Sequence, residues 1–262
     1  MNRIRPMTAA AAAFLLLAAA ASADTLVEKL DRTYPLEGRT VSVENVNGSV
    51  EVGVWDRPEV RVEAEKRLRG ARRDATAEAL ASVRIEVEQT SSALKIRTRH
   101  PNRHGFDFFD LFTNGRVHAV VNYRITMPRT ARLEVDTVNA TIRVAGVLGG
   151  TAVETVNGAI EVTGGAGPFT ASTVNGSIDA ALSDVPEGKL SASSVNGKIR
   201  LALPAALRAN VDVSTVNGKI TSDIPVTARS MSRRSLKGEM NGGGRVDISI
   251  STVNGSVTIE PN

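Results

Sequence analysis

The stretch Thr151-Ala152-Val153-Glu154-Thr155-Val156-Asn157-Gly158-Ala159-Ile160-Glu161-Val162 returns eighteen residues later as Phe169-Thr170-Ala171-Ser172-Thr173-Val174-Asn175-Gly176-Ser177-Ile178-Asp179-Ala180. The same frame is legible at Val138-Asn139-Ala140, Val195-Asn196-Gly197, Val216-Asn217-Gly218 and Val253-Asn254-Gly255, with an outlying copy at Val46-Asn47-Gly48. The Asn-to-Asn steps from Asn139 onward are 18, 18, 21, 21 and 37, the last close to two periods with an insertion between. The flanks repeat as well. Thr or Ser precedes each Val (Thr137, Thr155, Thr173, Ser194, Thr215, Thr252), and Ile or Val follows each Asn by three (Ile142, Ile160, Ile178, Ile199, Ile220, Val257). Two residues before the Thr or Ser stands Val135, Val153, Ala171, Ala192, Val213 or Ile250. Apolar and polar residues alternate with period two on both sides of a two-residue turn, which is the signature of strand, turn, strand. Periods of this length mark repeat architectures.

The reading is an all-β chain, and two architectures fit the repeat. In a parallel β-solenoid of 18–21-residue coils, each Asn-Gly is a corner and equivalent residues stack about 4.8 Å apart. Asn139, Asn157, Asn175, Asn196, Asn217 and Asn254 then form a hydrogen-bonded amide ladder, as stacked amides do in cross-β assemblies. In the alternative, stacked antiparallel β-hairpins, Asn-Gly lies at each tip. The hairpin sets Glu154 against Glu161, a like-charge pair. The solenoid explains why Thr, Val and Ile recur in register, and it stacks Arg143, Glu161, Asp179 and Arg200 in one outward column with opposite charges at two of three steps. Asn-Gly is expected to need positive φ, so Ala140 should carry mild strain or adopt another turn. If Val135 points inward, simple alternation turns Val138 and its equivalents outward. A kink at the Thr would bring them in; otherwise they form an apolar binding ridge.

Residues 1–23 read as a signal peptide: Arg3 and Arg5, the apolar Ala9–Ala20 stretch, and Ala21-Ser22-Ala23 ahead of Asp24. The apolar run falls short of the roughly 20 residues a spanning helix needs, so after cleavage the chain is not an integral membrane protein. The remaining 24–262 carries 30 basic residues (32 less Arg3 and Arg5) against 28 acidic ones, a net of +2. That balance gives no support for a nucleic-acid partner. With no cysteine, the exported chain relies on its core and not on disulfides. Residues 24–130 read as a degenerate N-terminal β-repeat and cap region with one short helix at Ala71–Ser82; 131–262 is the regular repeat region of the same domain. Residues 225–245 form a basic, Gly-rich insertion with Arg229, Arg233, Arg234 and Lys237, read as a solvated loop or a basic arm.

Phe106, Phe108, Phe109 and Phe112, four of six phenylalanines, mark a candidate interaction loop, which could instead fold back as a core plug. His100, His104, Asp107 and Asp110 lie close by, but their spacing matches no metal motif. No cysteine nucleophile, Gly-x-Ser-x-Gly elbow or phosphate loop is present, and no cofactor is implied. Glu134, Asp136 and Glu154 are the carboxylates that a polysaccharide-active β-helix enzyme would use; the expectation is that the chain is not an enzyme.

The Thr-Val-Asn-Gly-x-Ile repeats resemble a known family, together with Val-Glu-Asn-Val-Asn-Gly-Ser-Val-Glu-Val (43–52), Val-Trp-Asp-Arg-Pro-Glu-Val-Arg-Val-Glu-Ala (54–64) and the closing Gly-Gly-Gly-Arg-Val-Asp-Ile-Ser-Ile-Ser-Thr-Val-Asn-Gly (242–255). It is the bacterial "putative adhesin" β-strand-repeat family, a domain of unknown function. The resemblance spans roughly 35–260. It implies an exported or cell-envelope β-solenoid, in the periplasm, at the cell surface or outside the cell, with no catalytic residues to carry over. The implied function is an adhesin-like, elongated binding surface for an envelope polymer, a membrane component or a protein; the alternative is a sensor or accessory domain in envelope-stress signalling.

Overall fold

A computed structural model describes residues 25–69, 82–99, 119–185 and 187–262. The N-terminal 24 residues, the Phe-rich loop with the three histidines, and all of the expected helix except Ser82 lie outside the described residues. In chain order the N-terminal strands are β1 (Thr25–Pro35), β2 (Thr40–Glu44), β3 (Asn47–Trp55), β4 (Glu59–Arg69), β5 (Arg84–Gln89), β6 (Ala93–Arg99) and β7 (Ala119–Pro128). The repeats supply β8 (Arg132–Asp136), β9 (Asn139–Ala145), β10 (Thr151–Asn157), β11 (Ile160–Ala166), β12 (Phe169–Asn175), β13 (Ile178–Asp184), β14 (Gly188–Asn196) and β15 (Ile199–Leu203). The chain closes with β16 (Ala209–Thr215), β17 (Ile220–Ser222), β18 (Val226–Ser232), β19 (Ser235–Met240), β20 (Val246–Asn254) and β21 (Val257–Pro261).

These strands build a β-solenoid. Each repeat is one coil: a strand, the Asn-Gly corner, a second strand, and a return turn. Successive coils pair in parallel with equivalent residues opposed, as in Val153↔Ala171 and Asn157↔Asn175 on one face and Ile160↔Ile178 on the other. Hairpins bent at Asn-Gly would need antiparallel pairing instead, so that alternative is set aside. One face runs β5-β6-β2-β8-β10-β12-β14-β20-β16-β19-β18. The other runs β1-β4-β7-β3-β9-β11-β13-β15-β21-β17. Among the described residues, antiparallel pairs lie at both ends of the first face and at the β1 end of the second. Inward side chains from both faces, such as Val153, Ala171, Ile160 and Ala180, share one aliphatic core. Small residues such as Ala171, Ala180 and Ala192 share that core with branched ones, and the aromatic Phe169 and Tyr123 are buried in it as well.

The coils are not stacked in sequence order. The last coil (β20–β21) lies between β14–β15 and β16–β17. The first (β2–β3) likewise lies between the β6/β7 row and β8–β9. Most of 225–245 is not a loop: β18 and β19 form an antiparallel hairpin that extends the first face from β16, and 241–245 connect it to β20. Arg229 pairs with Glu239 and Lys237 with Asp212 across it.

One expectation about the corners needs correction. Gly158, Gly176, Gly197, Gly218 and Gly255 do not have positive φ, and neither do their asparagines. Glycine is required there for another reason. A Cβ on each would sit 1.7–1.9 Å from the carbonyl oxygen of the corner stacked beneath it. Ala140 is buried and free of positive φ. Its corner differs, because β3 and β9 stay paired straight through Asn47↔Asn139 and Gly48↔Ala140. The underlying Gly48 takes φ +135°, and the alanine is accommodated without backbone strain.

Candidate functional site

The corner presents one long edge to solvent. Its core is the asparagine column. The Asn217 amide donates to Asn254 Oδ1 at 2.9 Å and Asn254 to Asn196 at 2.7 Å. Asn196 donates to Asn175, Asn175 to Asn157, Asn157 to Asn139 and Asn139 to Asn47, each at 2.8 Å. All six bonds point the same way along the axis. The ladder spans about 29 Å at the spacing of adjacent strands. Each rung uses one amide N–H and one acceptor direction, so a second N–H and a second lone pair are without a side-chain partner among the described residues.

Beneath the edge runs a second ladder. The Thr and Ser hydroxyls are buried; Thr137 donates to Glu154 O at 3.4 Å, and from Thr155 onward they donate to corner carbonyls of the neighbouring coil. Thr173 donates to Gly158 O at 3.2 Å, Ser194 to Gly176 O at 3.1 Å, Thr252 to Gly197 O at 3.1 Å and Thr215 to Gly255 O at 2.9 Å. Such carbonyls would otherwise be left unsatisfied inside the corner. In the first coil the position belongs to Asn45, whose longer side chain reaches Val121 O at 2.8 Å and accepts from Thr98. Thr98 in turn meets Tyr123 Oη at 2.7 Å, and burial pushes that phenol up to about 12. The recurrence of Thr and Ser in the sequence was the available signal for this ladder; the distant partner Tyr123 had none.

The valines turn outward. Val174, Val195, Val253 and Val216 are 39–52 % exposed, and Val138 and Val156 are partly exposed. No kink at the Thr brings them inside, because the Thr side chain itself takes the inward position. The result is an apolar ridge directly beside the amide ladder. On its other flank lie Ser172, Ser193, Ser251 and Ser214 in successive rows, with Ser193 donating to Ser172 at 3.1 Å.

Toward the N-terminal coils that flank becomes acidic. Glu44, Asp136 and Glu154 stack in register. Arg97 pairs with Glu44 and Arg132 with Glu134. Burial, then the charges of Glu154, Glu44 and Glu134, hold the Asp136 carboxyl above the ordinary carboxylate range, although it still reaches solvent. A cavity of about 250 Å³ opens here, lined by Glu44, Asn45, Arg97, Arg99, Asp136 and Val138 among others. Among the described residues no group of His, Cys, Asp and Glu is placed to hold a metal ion, and no helix is long and apolar enough to cross a membrane. The outward column on the second face is salt-bridged at Arg143–Glu161 (2.9 Å) and Arg200–Asp179 (3.2 Å), the two favourable steps expected from its sequence.

Comparison with solved structures finds a "putative cell adhesion protein" from Clostridium sporogenes, 11% identical, covering 91% of this chain and 100% of that one with a TM-score of 0.48. A "putative adhesin" from Bacteroides fragilis is 10% identical over 88% of this chain and 97% of that one, with a TM-score of 0.41. A "putative lipid binding protein" from Parabacteroides distasonis is 12% identical over 90% and 97%, with a TM-score of 0.26. No curated protein matches the chain. The sequence profile of one family does match residues 24–260, the span that holds every corner repeat and both flanking regions; the chain belongs to that family, Toastrack DUF4097.

Proposed function

We propose that this protein is an exported, non-catalytic, adhesin-like component of the cell envelope whose corner edge binds an extended, hydroxyl-rich polymer. The observation that carries the reading is the solvent-facing valine ridge in register with an amide ladder whose rows keep donors and acceptors without a side-chain partner among the described residues. A glycan chain lying along the axis has apolar C–H faces for the valines and hydroxyls for the amides and serines. Exposed apolar ridges rimmed by polar groups are characteristic of interaction sites. Regular repetition lets weak contacts add along the polymer. Asp136 and Glu154 stand on neighbouring rows of one open face. Both lie on the same side of anything resting there, whereas glycoside hydrolysis uses carboxyl groups that flank the scissile bond. That placement favours holding a polymer over cleaving it.

The test is the triple variant Val174→Thr, Val195→Thr and Val253→Thr, which keeps β-branched shape. Stability should change by no more than about 0.5 kcal/mol per exposed site. Sedimentation with purified envelope polysaccharide, and signals on a glycan array, should fall at least tenfold, the equivalent of about 1.4 kcal/mol. Unchanged polysaccharide binding by the folded triple variant would remove the edge as the binding surface.

A further inference from the structure

The row order has a consequence for association. β20–β21 fills a gap between two rows that are neighbours in sequence. Only residues 204–208 connect β15 to β16, and they step across the full width of the inserted coil. The inserted coil makes the same contacts on both sides as any coil makes in the regular stack. Ser193↔Ser251 and Ser214↔Ser251 are in parallel register, Asn254 joins the amide ladder from both directions, and the Gly255 carbonyl accepts from Thr215. None of these contacts depends on which chain supplies the coil. The covalent tie is short and glycine-rich. Asn241, Gly242, Gly243 and Gly244 lead from β19 over the end of β16 into β20, with positive φ at the first three. The linker is held by Arg208 Nε donating to Gly243 O at 3.0 Å and by Asn241 Nδ2 donating to Ala205 O and Leu207 O.

We propose that residues 245–262 are an exchangeable coil, and that the slot between β14–β15 and β16–β17 accepts this coil from a second copy of the chain. Exchange of an identical element recreates every contact, so its cost is confined to the linker and to association itself. The linker opens by rotating at glycines, which carry no Cβ penalty in either conformation. Both joined copies keep complete amide ladders and valine ridges, because the incoming Asn254 and Val253 replace the departing pair. Two linked edges on one polymer then bind with avidity. The inference stands on the row order and does not depend on the identity of any ligand.

The chain has no cysteine, which makes the test clean. Full-length Ser193→Cys and full-length Ser251→Cys are mixed, unfolded and refolded together at high concentration, then oxidised. These two positions sit side by side on adjacent strands, about 4.8 Å apart and within disulfide range. The control mixture is Ser172→Cys with Ser193→Cys, also side by side but in rows joined continuously in sequence. A second control is the single chain carrying both Ser193→Cys and Ser251→Cys. Exchange predicts a disulfide-linked heterodimer several-fold above the Ser172/Ser193 mixture, rising with refolding concentration. A heterodimer yield equal to that mixture, with the doubly substituted chain closing its internal disulfide, overturns the proposal. Absence of any disulfide, within or between chains, in the doubly substituted protein overturns it as well, because the slot would then not exist.

Discussion

Replacing Gly197 by alanine places a Cβ 1.7 Å from the Gly176 carbonyl oxygen, against an ordinary contact of 3.4 Å or more. The obstacle is backbone, so it cannot swing aside as a side chain would. The coil must lift by a distance comparable to a third of the roughly 4.8 Å row spacing. Three hydrogen bonds cross this junction. The Gly176 N–H donates to Asn196 O at 3.1 Å, Ser194 Oγ donates to Gly176 O at 3.1 Å, and the Asn196 amide donates to Asn175 Oδ1 at 2.8 Å. At about 0.5–1.5 kcal/mol net for each, the expected loss is about 2–4 kcal/mol. For a domain of this size that corresponds to a fall in Tm of roughly 5–15 °C. Gly53→Ala is the control, since a Cβ there meets nothing within 4 Å, and it should stay within about 0.5 kcal/mol. Gly197→Asn separates the two reasons for a corner glycine. Asparagine tolerates positive φ but carries the same Cβ, so it should be as damaging as alanine. Urea denaturation monitored by circular dichroism measures all three. A Gly197→Ala midpoint equal to that of Gly53→Ala would refute close stacking of the corners.

Thr151 Oγ1 is a buried hydroxyl with no hydrogen-bond partner among the described residues, so Thr151→Val should stabilise the fold by about 1 kcal/mol in the same denaturation assay. Thr252→Val makes the identical chemical change where the hydroxyl serves Gly197 O, and it should destabilise by about 1–3 kcal/mol. Asp136→Asn should stabilise at neutral pH by a few tenths to about 1 kcal/mol, the range for cross-strand like-charge contacts. Because the folded carboxyl is held above its unfolded value, its charge costs stability only as pH rises through the unfolded and folded pKa values. The gain should therefore vanish when denaturation is repeated at about pH 3, below the ordinary Asp range.

The repeat was legible because it is written in register: Thr, Val, Asn and Ile return together, and each occupies one column of the solenoid. The corner glycines were legible as glycines but not for the right reason, since a clash with the next coil's carbonyl is a long-range contact that no local turn rule contains. Outward valines follow strictly from alternation. What the sequence left open was a kink at the Thr, because the buried Thr hydroxyls that take the inward place have partners visible only in three dimensions. The step of 37 residues before Asn254 announced an insertion. It could not announce that the final coil returns between earlier ones, because every row offers the same pattern to its neighbours and the sequence alone does not rank them. The acidic stack draws Glu44 from the outlying first repeat, and its place beside Asp136 follows from the same displaced order at the other end.

The continuous edge depends on the row order Asn175, Asn196, Asn254, Asn217, and paired-cysteine oxidation in the single full-length chain reads that order directly. Three double variants are compared under one mild oxidant: Ser193→Cys with Ser251→Cys, Ser214→Cys with Ser251→Cys, and Ser193→Cys with Ser214→Cys. The structure places the first two pairs on adjacent strands and the third two rows apart, about 9.6 Å, beyond the Cα separation of up to 6.8 Å that a disulfide spans. The prediction is rapid internal disulfide formation in the first two variants and none in the third. Rapid closure of Ser193→Cys with Ser214→Cys, and failure of Ser193→Cys with Ser251→Cys, would mean that the coils stack in sequence order and would contradict the account.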